Sequence, residues 1–363
     1  MTPAELSRTV LRSVRGAVDE QELSVPVPAR VVVRRPPRPG CGDYASNVAL
    51  QLAQAAGRPA REVAEVLQKR LAGCAGIARV EIAGPGFLNF TLDEGAQTAL
   101  VRGILAQGAR YGTGSDSPVR TAGGPARLPD GARGVVVGEA LERIDAAAGG
   151  LRVPSPGDGA PASGPARAAL VRLVARLGAD EVRWALLRPA AHDPVRLPAR
   201  PEQRESNPRF RVQYAHARAL AVVRNARELG FAGEPGDEPG AGEGAEGEAG
   251  AARPVTAVAS PAVASAPPAH GPRPARPTLN ALLAGFPDVV EAAARHRAPD
   301  RLVRHLEAVA DAFFRWHDGC QPLPVGEEKP SAVHRARVAV AEATGTVLAN
   351  GLRLLGISAP EHL

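Results

Sequence analysis

Lysine is nearly absent from this sequence. Lys69 and Lys329 are the only two in 363 residues, although Lys and Arg together number 44, so the positive charge is almost wholly arginine. Histidine begins late, with none before His192. No G-x-x-x-x-G-K-[ST] loop occurs, which excludes the phosphate cradle built from backbone N–H groups and a lysine. Aromatic residues make up 3%. The three cysteines, Cys41, Cys74 and Cys320, show no C-x-x-C spacing, which argues against a disulfide framework and a thiolate zinc site. No apolar run approaches the ~20 residues that span a bilayer. The first twenty residues, MTPAELSRTVLRSVRGAVDE, carry charge throughout and lack the apolar core of a signal peptide. The cytoplasm is the expected compartment.

What is present in quantity is Arg, Ala, Gly (39) and Pro (35), with a formal charge of +6 and a pI of about 9.9. Residues 232–251 hold Glu234, Asp237, Glu238, Glu243, Glu246 and Glu248 and no base, so the rest of the chain carries +12. That balance suits a polyanionic partner, because each neutralised phosphate releases condensed counterions. GC-rich coding enriches the same residue types, so charge alone points to nucleic acid only weakly.

Length allows two modest domains with linkers. Residues 1–112 read as an α+β unit. Leu6, Val10 and Val14 share a helical face, Val31–Val33 is a short strand, and 46–56 and 59–71 are helices. Residues 78–92 are strand, turn, strand. The period of two puts Leu88, Phe90 and Leu92 on one face and Phe87, Asn89 and Thr91 on the other, so the second set faces out if the first is buried. Residues 113–165 read as a largely disordered linker with at most one short helix near 138–148, and 166–188 recovers helical character. Three apolar stripes follow: Val212, Ala215, Ala219, Val222, Ala226 and Leu229; Leu302, Leu306, Val309, Phe313, Trp316 and Cys320; Val333, Ala336, Val340, Ala343 and Val347. They predict an all-α bundle over 166–231 and 278–363, interrupted by a disordered insertion at 232–277.

Two blocks carry a resemblance. GDYASNVALQLAQAAG (42–57) and EIAGPGFLNFTL (81–92) resemble the additional N-terminal domain of arginyl-tRNA synthetase. NPRFRVQYAHAR (207–218) and the terminal LLGISAPEHL resemble that enzyme's DALR anticodon-binding domain, and GADEVRWALLRPA (178–190) resembles the segment leading into it. The order is the family's, with the catalytic domain missing between the blocks, as in synthetase-related anticodon-binding proteins. About 90 residues separate the blocks, fewer than a nucleotide-binding domain with insertions requires. HIGH-type and KMSKS-type motifs have no match, since no His precedes His192 and both lysines lie inside the matched blocks.

The resemblance implies tRNA binding, with tRNA-Arg the family's species, and assigns no catalytic residue, metal or cofactor. By the matching positions it implies that Phe87 and Asn89 contact the tRNA elbow and that the helix bearing Tyr214, His216 and Arg218 forms part of the anticodon-loop surface. Asn225 joins Tyr214 and Arg218 on a helical face away from the apolar stripe, where stacking and phosphate contact are chemically available. Each position also has a purely structural reading: Phe87 packing on a helix, Tyr214 and His216 as members of the bundle. At His362 and Leu363 the chain departs from the family's Arg-Met ending, so the resemblance carries the fold over there and puts strict tRNA-Arg identity reading in doubt. Two rival functions stand beside tRNA binding without catalysis: an arginine-tRNA ligase working with a catalytic core supplied in trans, and a protein-interaction adaptor that has lost RNA.

Overall fold

A computed structural model describes residues 1–34, 36, 42–93, 95–114, 131–149, 164–200, 203–236 and 278–363. The chain opens with α1 (Pro3–Asp19), started by a capping box in which the Thr2 side chain accepts from Glu5 N and Glu5 accepts from Thr2 N. Leu6, Val10 and Val14 are fully buried, as their spacing predicts. An antiparallel sheet follows in the order β1 (Val33–Arg34), β2 (Tyr44–Ser46), β4 (Phe87–Leu92), β3 (Ile77–Ala83), backed by α2 (Val48–Ala56) and α3 (Ala60–Leu71). Strand β2 is a correction to the expected helix over 46–56. Tyr44 and Ser46 are buried on one side of an extended segment paired with β4, and the Ser46 hydroxyl donates to the Val32 carbonyl at 2.9 Å, so the helix starts only at Val48.

The hydrophobic core divides at about Leu92. A first cluster runs from Leu6 to Phe90; a second begins at Leu100 in α4 (Gly95–Gln107) and ends at Ile357. Residues 1–112 are therefore not one unit. Leu100, Val101, Ile104 and Tyr111 belong to the helical core, where the Tyr111 hydroxyl donates to the Leu283 carbonyl at 2.9 Å and the Asn350 amide donates to the carbonyls of Gly108 and Tyr111.

The expected linker needs a second correction. Within 113–165, residues Gly131–Ala147 form α5, seventeen residues that bury Val136, Val137, Ala140, Leu141 and Ile144 in the helical core. A low density of turn-breaking residues after Gly138 was the visible signal, and the apolar triplet at 135–137 extends the helix upstream. Arg133 fastens it by donating to the carbonyls of Leu186, Pro189, Ala190, Ala191 and Asp193. Residues 115–130 and 150–163 of that segment lie outside the described residues, as do 237–277 of the insertion. The insertion's first residues, 232–236, are ordered along the last helix: Glu234 N donates to Arg335 O at 3.1 Å and its carboxylate pairs with the Arg335 guanidinium at 3.2 Å.

The remaining helices are α6 (Pro165–Leu177), α7 (Ala179–Leu187), α8 (Pro208–Glu228), α9 (Leu279–His296), α10 (Asp300–Gly319) and α11 (Ala332–Leu355). The all-α bundle is thus observed. Helix α11 differs from its expected single stripe, because α4, α5, α8, α9 and α10 surround it and bury Val338, Ala339, Ala341, Leu348 and Leu352 as well. Among the described residues no helix is long and apolar enough to cross a membrane.

Candidate nucleic-acid interface

Helix α8 is held by a buried polar network. Asn207 caps its N-terminus, with the side chain accepting from Arg209 N at 3.0 Å. Glu181 at the start of α7 accepts from Asn207 Nδ2 (2.9 Å) and Arg209 Nε (2.7 Å), and Arg209 also donates to Gln213 Oε1. Gln213 Nε2 reaches Asp180 Oδ2 (3.0 Å) and the Ser358 carbonyl (2.9 Å), and Ser358 N donates to Asp180 Oδ1 (3.1 Å). Three sequence-matched segments, around 178–190, 207–218 and 354–363, therefore meet in one set of hydrogen bonds. Buried charge of this kind is stable only when paired and fully hydrogen-bonded, a condition this network meets.

His216 belongs to this architecture. It is buried, with Nδ1 at 3.0 Å from the Pro360 carbonyl, and burial lowers its pKa. It anchors the C-terminal tail and is corrected from surface contact to structural member. Arg224 extends the same anchoring by donating to the Glu361 carbonyl at 3.2 Å.

Tyr214, Arg218 and Asn225 lie on the outer face of α8. Tyr214 is half-buried between Phe210 (ring centroids 5.9 Å, 5° between planes) and Phe314 of α10 (5.6 Å, 27°), and the Arg211 guanidinium lies over Phe314 at 4.9 Å. Arg211 is itself paired with Asp311 at 2.7 Å. Farther along, exposed Arg218 and Asn225 line a cavity of about 290 Å³ with Ala221 and Val222, closed by His317, Gln321 and Leu323 from the end of α10 and the loop after it. Burial lowers the His317 pKa and the neighbouring Arg218 charge adds to that. An apolar floor, an amide on each wall and, among the lining residues, the Arg218 cation and the Asp318 carboxylate make a recess that takes a flat, hydrogen-bonding group.

The structure brings Tyr214, Arg218 and Asn225 onto one surface, and sequence reasoning missed Phe210, Phe314 and the cavity wall from α10. Phe210 was legible as the i−4 partner of Tyr214. Phe314 was hidden because its contact is tertiary.

At the other end of the chain, the turn before β4 is shaped by Gly86 (φ +141), whose missing Cβ would lie 2.9 Å from the Ala60 carbonyl. This close approach presents Phe87 at 41% exposure. Asn89 points to the same face and yet retains only 8%. Strand β4 is central, so Asn89 lies between Ala45 and Glu81 on the flanking strands. The expectation that both face out holds for Phe87 and is corrected for Asn89. Among the described residues no group of three His, Cys, Asp or Glu side chains is arranged to hold a metal ion.

Comparison with known proteins gives a family match toward each end of the chain. The arginyl tRNA synthetase N terminal domain matches residues 6–92, and the DALR anticodon binding domain matches residues 264–363. The arginine-tRNA ligase of Renibacterium salmoninarum is 27% identical over an alignment of 580 residues that covers 100% of both chains. That of Paenarthrobacter aurescens is 37% identical over 193 residues, covering 53% of this chain and 30% of the relative. The structure of Thermus thermophilus arginyl-tRNA synthetase superposes with a TM-score of 0.53 at 17% identity, covering 100% of each chain, a likeness of fold. The chain is an arginyl-tRNA synthetase-related protein with a DALR domain. It brings 363 residues to the 580-residue alignment, so stretches of the relative have no counterpart in it.

Proposed function

We propose that this chain is a non-catalytic paralogue of arginyl-tRNA synthetase that binds tRNA, with Phe87, backed by Asn89, at the elbow and the Tyr214, Arg218 and Asn225 face at the anticodon loop. The observation that carries this is the half-buried stack of Phe210, Tyr214 and Phe314 on the same outer face of α8 as a recess lined by Arg218 and Asn225. Unpaired loop bases are recognised by stacking on aromatic rings and by amides at their edges, with arginine on the phosphates. Catalytic silence is supported by the placement of the two lysines: Lys69 lies in α3 and Lys329 just before α11, so neither falls between the two matched ends, where a catalytic domain would carry its phosphate-binding loop.

The test has two arms. Purified protein with arginine, ATP and tRNA gives no pyrophosphate exchange and no charging above background, while it binds tRNA with an affinity that falls steeply with salt. Turnover from the chain alone refutes catalytic silence. Absence of tRNA binding at low salt favours the adaptor instead, and charging that appears only when a synthetase catalytic fragment is added favours the ligase assembled in trans.

A further inference from the structure

Helix α6 has three arginines and no carboxylate in its thirteen residues. Leu170 and Leu177 bury one side against α5 and α7. With 3.6 residues per turn, Arg172 and Arg176 fall on the opposite side beside Ala168 and Ala175, with Val171 at its edge and Arg167 nearer the buried pair. All six are exposed. Among the described residues no carboxylate pairs with Arg172 or Arg176, and the nearest acid, Glu139 of α5, is already shared between Arg167 (3.8 Å) and Arg183 of α7 (3.4 Å). Arg143 of α5 adds a further charge beside Arg183, with Nη2 buried and without a hydrogen-bond partner among the described residues. Three guanidinium groups, those of Arg143, Arg167 and Arg183, thus lie around Glu139, next to two more, Arg172 and Arg176, that face water.

We infer that the exposed face of α6 binds the phosphate backbone of structured RNA, as a contact separate from the elbow and anticodon surfaces; it rests on the proposal that the partner is tRNA. Guanidinium groups fit phosphate oxygens in bidentate fashion, and the small residues between them let a backbone approach closely. The face has no aromatic ring and no amide, so it reads charge and spacing and leaves base identity unread. From Arg172 to Arg176 the helix rises about 6 Å on one face, enough to meet two successive phosphates of one strand. A membrane surface is the poorer fit, because interfacial helices insert bulky apolar groups and this face offers only Val171.

The experiment measures binding of tRNA, and of a duplex RNA of unrelated sequence, across a salt series for the wild type and for Arg167→Gln/Arg172→Gln/Arg176→Gln. Each phosphate contact contributes about 0.7 to 0.9 to the slope of log K against log salt, so losing three flattens it by about 2 to 3 for both RNAs. The Arg172→Gln/Arg176→Gln double variant breaks no ion pair and flattens the slope by about 1.4 to 1.8, which keeps the test valid if the triple variant is destabilised. Wild-type slopes retained by both variants overturn the inference and leave tRNA binding standing. A wild-type protein with no RNA affinity overturns both. Retention of RNA slopes together with arginine-dependent binding to phosphatidylserine vesicles assigns the face to a membrane and also overturns the inference.

Discussion

Glu181→Ala is the most incisive perturbation of the helical domain. Glu181 Oε2 accepts from Arg209 Nε at 2.7 Å and from Asn207 Nδ2 at 2.9 Å, and both members of the ion pair are buried. Its removal leaves the Arg209 guanidinium out of water with only Gln213 to receive its donors. Breaking a buried pair from one side costs about 3 to 5 kcal/mol, because an uncompensated charge remains. At roughly 2 to 4 °C per kcal/mol for a domain of this size, the melting midpoint falls by about 6 to 20 °C. A Glu181→Leu/Arg209→Met double variant restores most of the loss, since an apolar pair of similar volume replaces a buried ion pair at little cost. Thermal and urea unfolding followed by circular dichroism give both numbers. A single variant destabilised by less than about 1 kcal/mol, or a double variant no better than the single, refutes the view that this pair joins α7 to α8.

Three further outcomes follow from named contacts. Burial lowers His305 to about 4 and lowers His216 as well, so both imidazoles are neutral when folded and take up protons more readily unfolded. The His305 contribution to stability is complete above the unfolded value of 6.5 and is lost as pH falls from there toward 4; His305→Gln shows a shallower loss of urea midpoint across that window, and parallel curves for the two proteins rule it out. Tyr214→Ala weakens tRNA binding by about 1 to 3 kcal/mol while Tyr214→Phe does not, because stacking needs the ring and not the hydroxyl; equal losses in an anisotropy titration contradict stacking. Phe87→Ala lowers tRNA affinity by a similar amount with the melting point unchanged, as an exposed surface ring allows. A Phe87 variant that melts early and binds normally returns that residue to packing.

Local pattern made much of this molecule legible. Leu6, Val10 and Val14 announced α1, and Leu302, Leu306, Val309 and Phe313 announced the buried face of α10, because a 3.6-residue period needs no tertiary information. The hairpin at 77–92 was readable from alternation, and its one failure, Asn89, comes from position in the sheet: a side chain on the outer face of a central strand is flanked from both sides. Strand β2 escaped because three residues carry too short a period to outweigh the helix that follows. His216 was misplaced for another reason, since its carbonyl partner lies 144 residues away at Pro360. The aromatic stack was half legible, with Phe210 and Tyr214 on one helix and Phe314 supplied by another.

The division of the core bears on how the two matched ends stay together. Helix α4 follows the sheet directly and packs into the second core, where Asn350 of α11 holds the carbonyls of Gly108 and Tyr111, and Gly112 (φ +83) passes so close to Phe286 that a Cβ there would lie 2.3 Å from the ring. Helix α5 enters the same core from the far side of residues 115–130. The helices on either side of residues 115–130 in the sequence are therefore both fixed to α11, which also carries the C-terminal tail that braces α8. On the proposed function, the separation between Phe87 and the Tyr214 face is set by these contacts and not by the intervening sequence. A tRNA held at elbow and anticodon loop then meets two surfaces whose spacing is independent of any domain between them, which is what a chain with a synthetase's ends and a shortened middle requires.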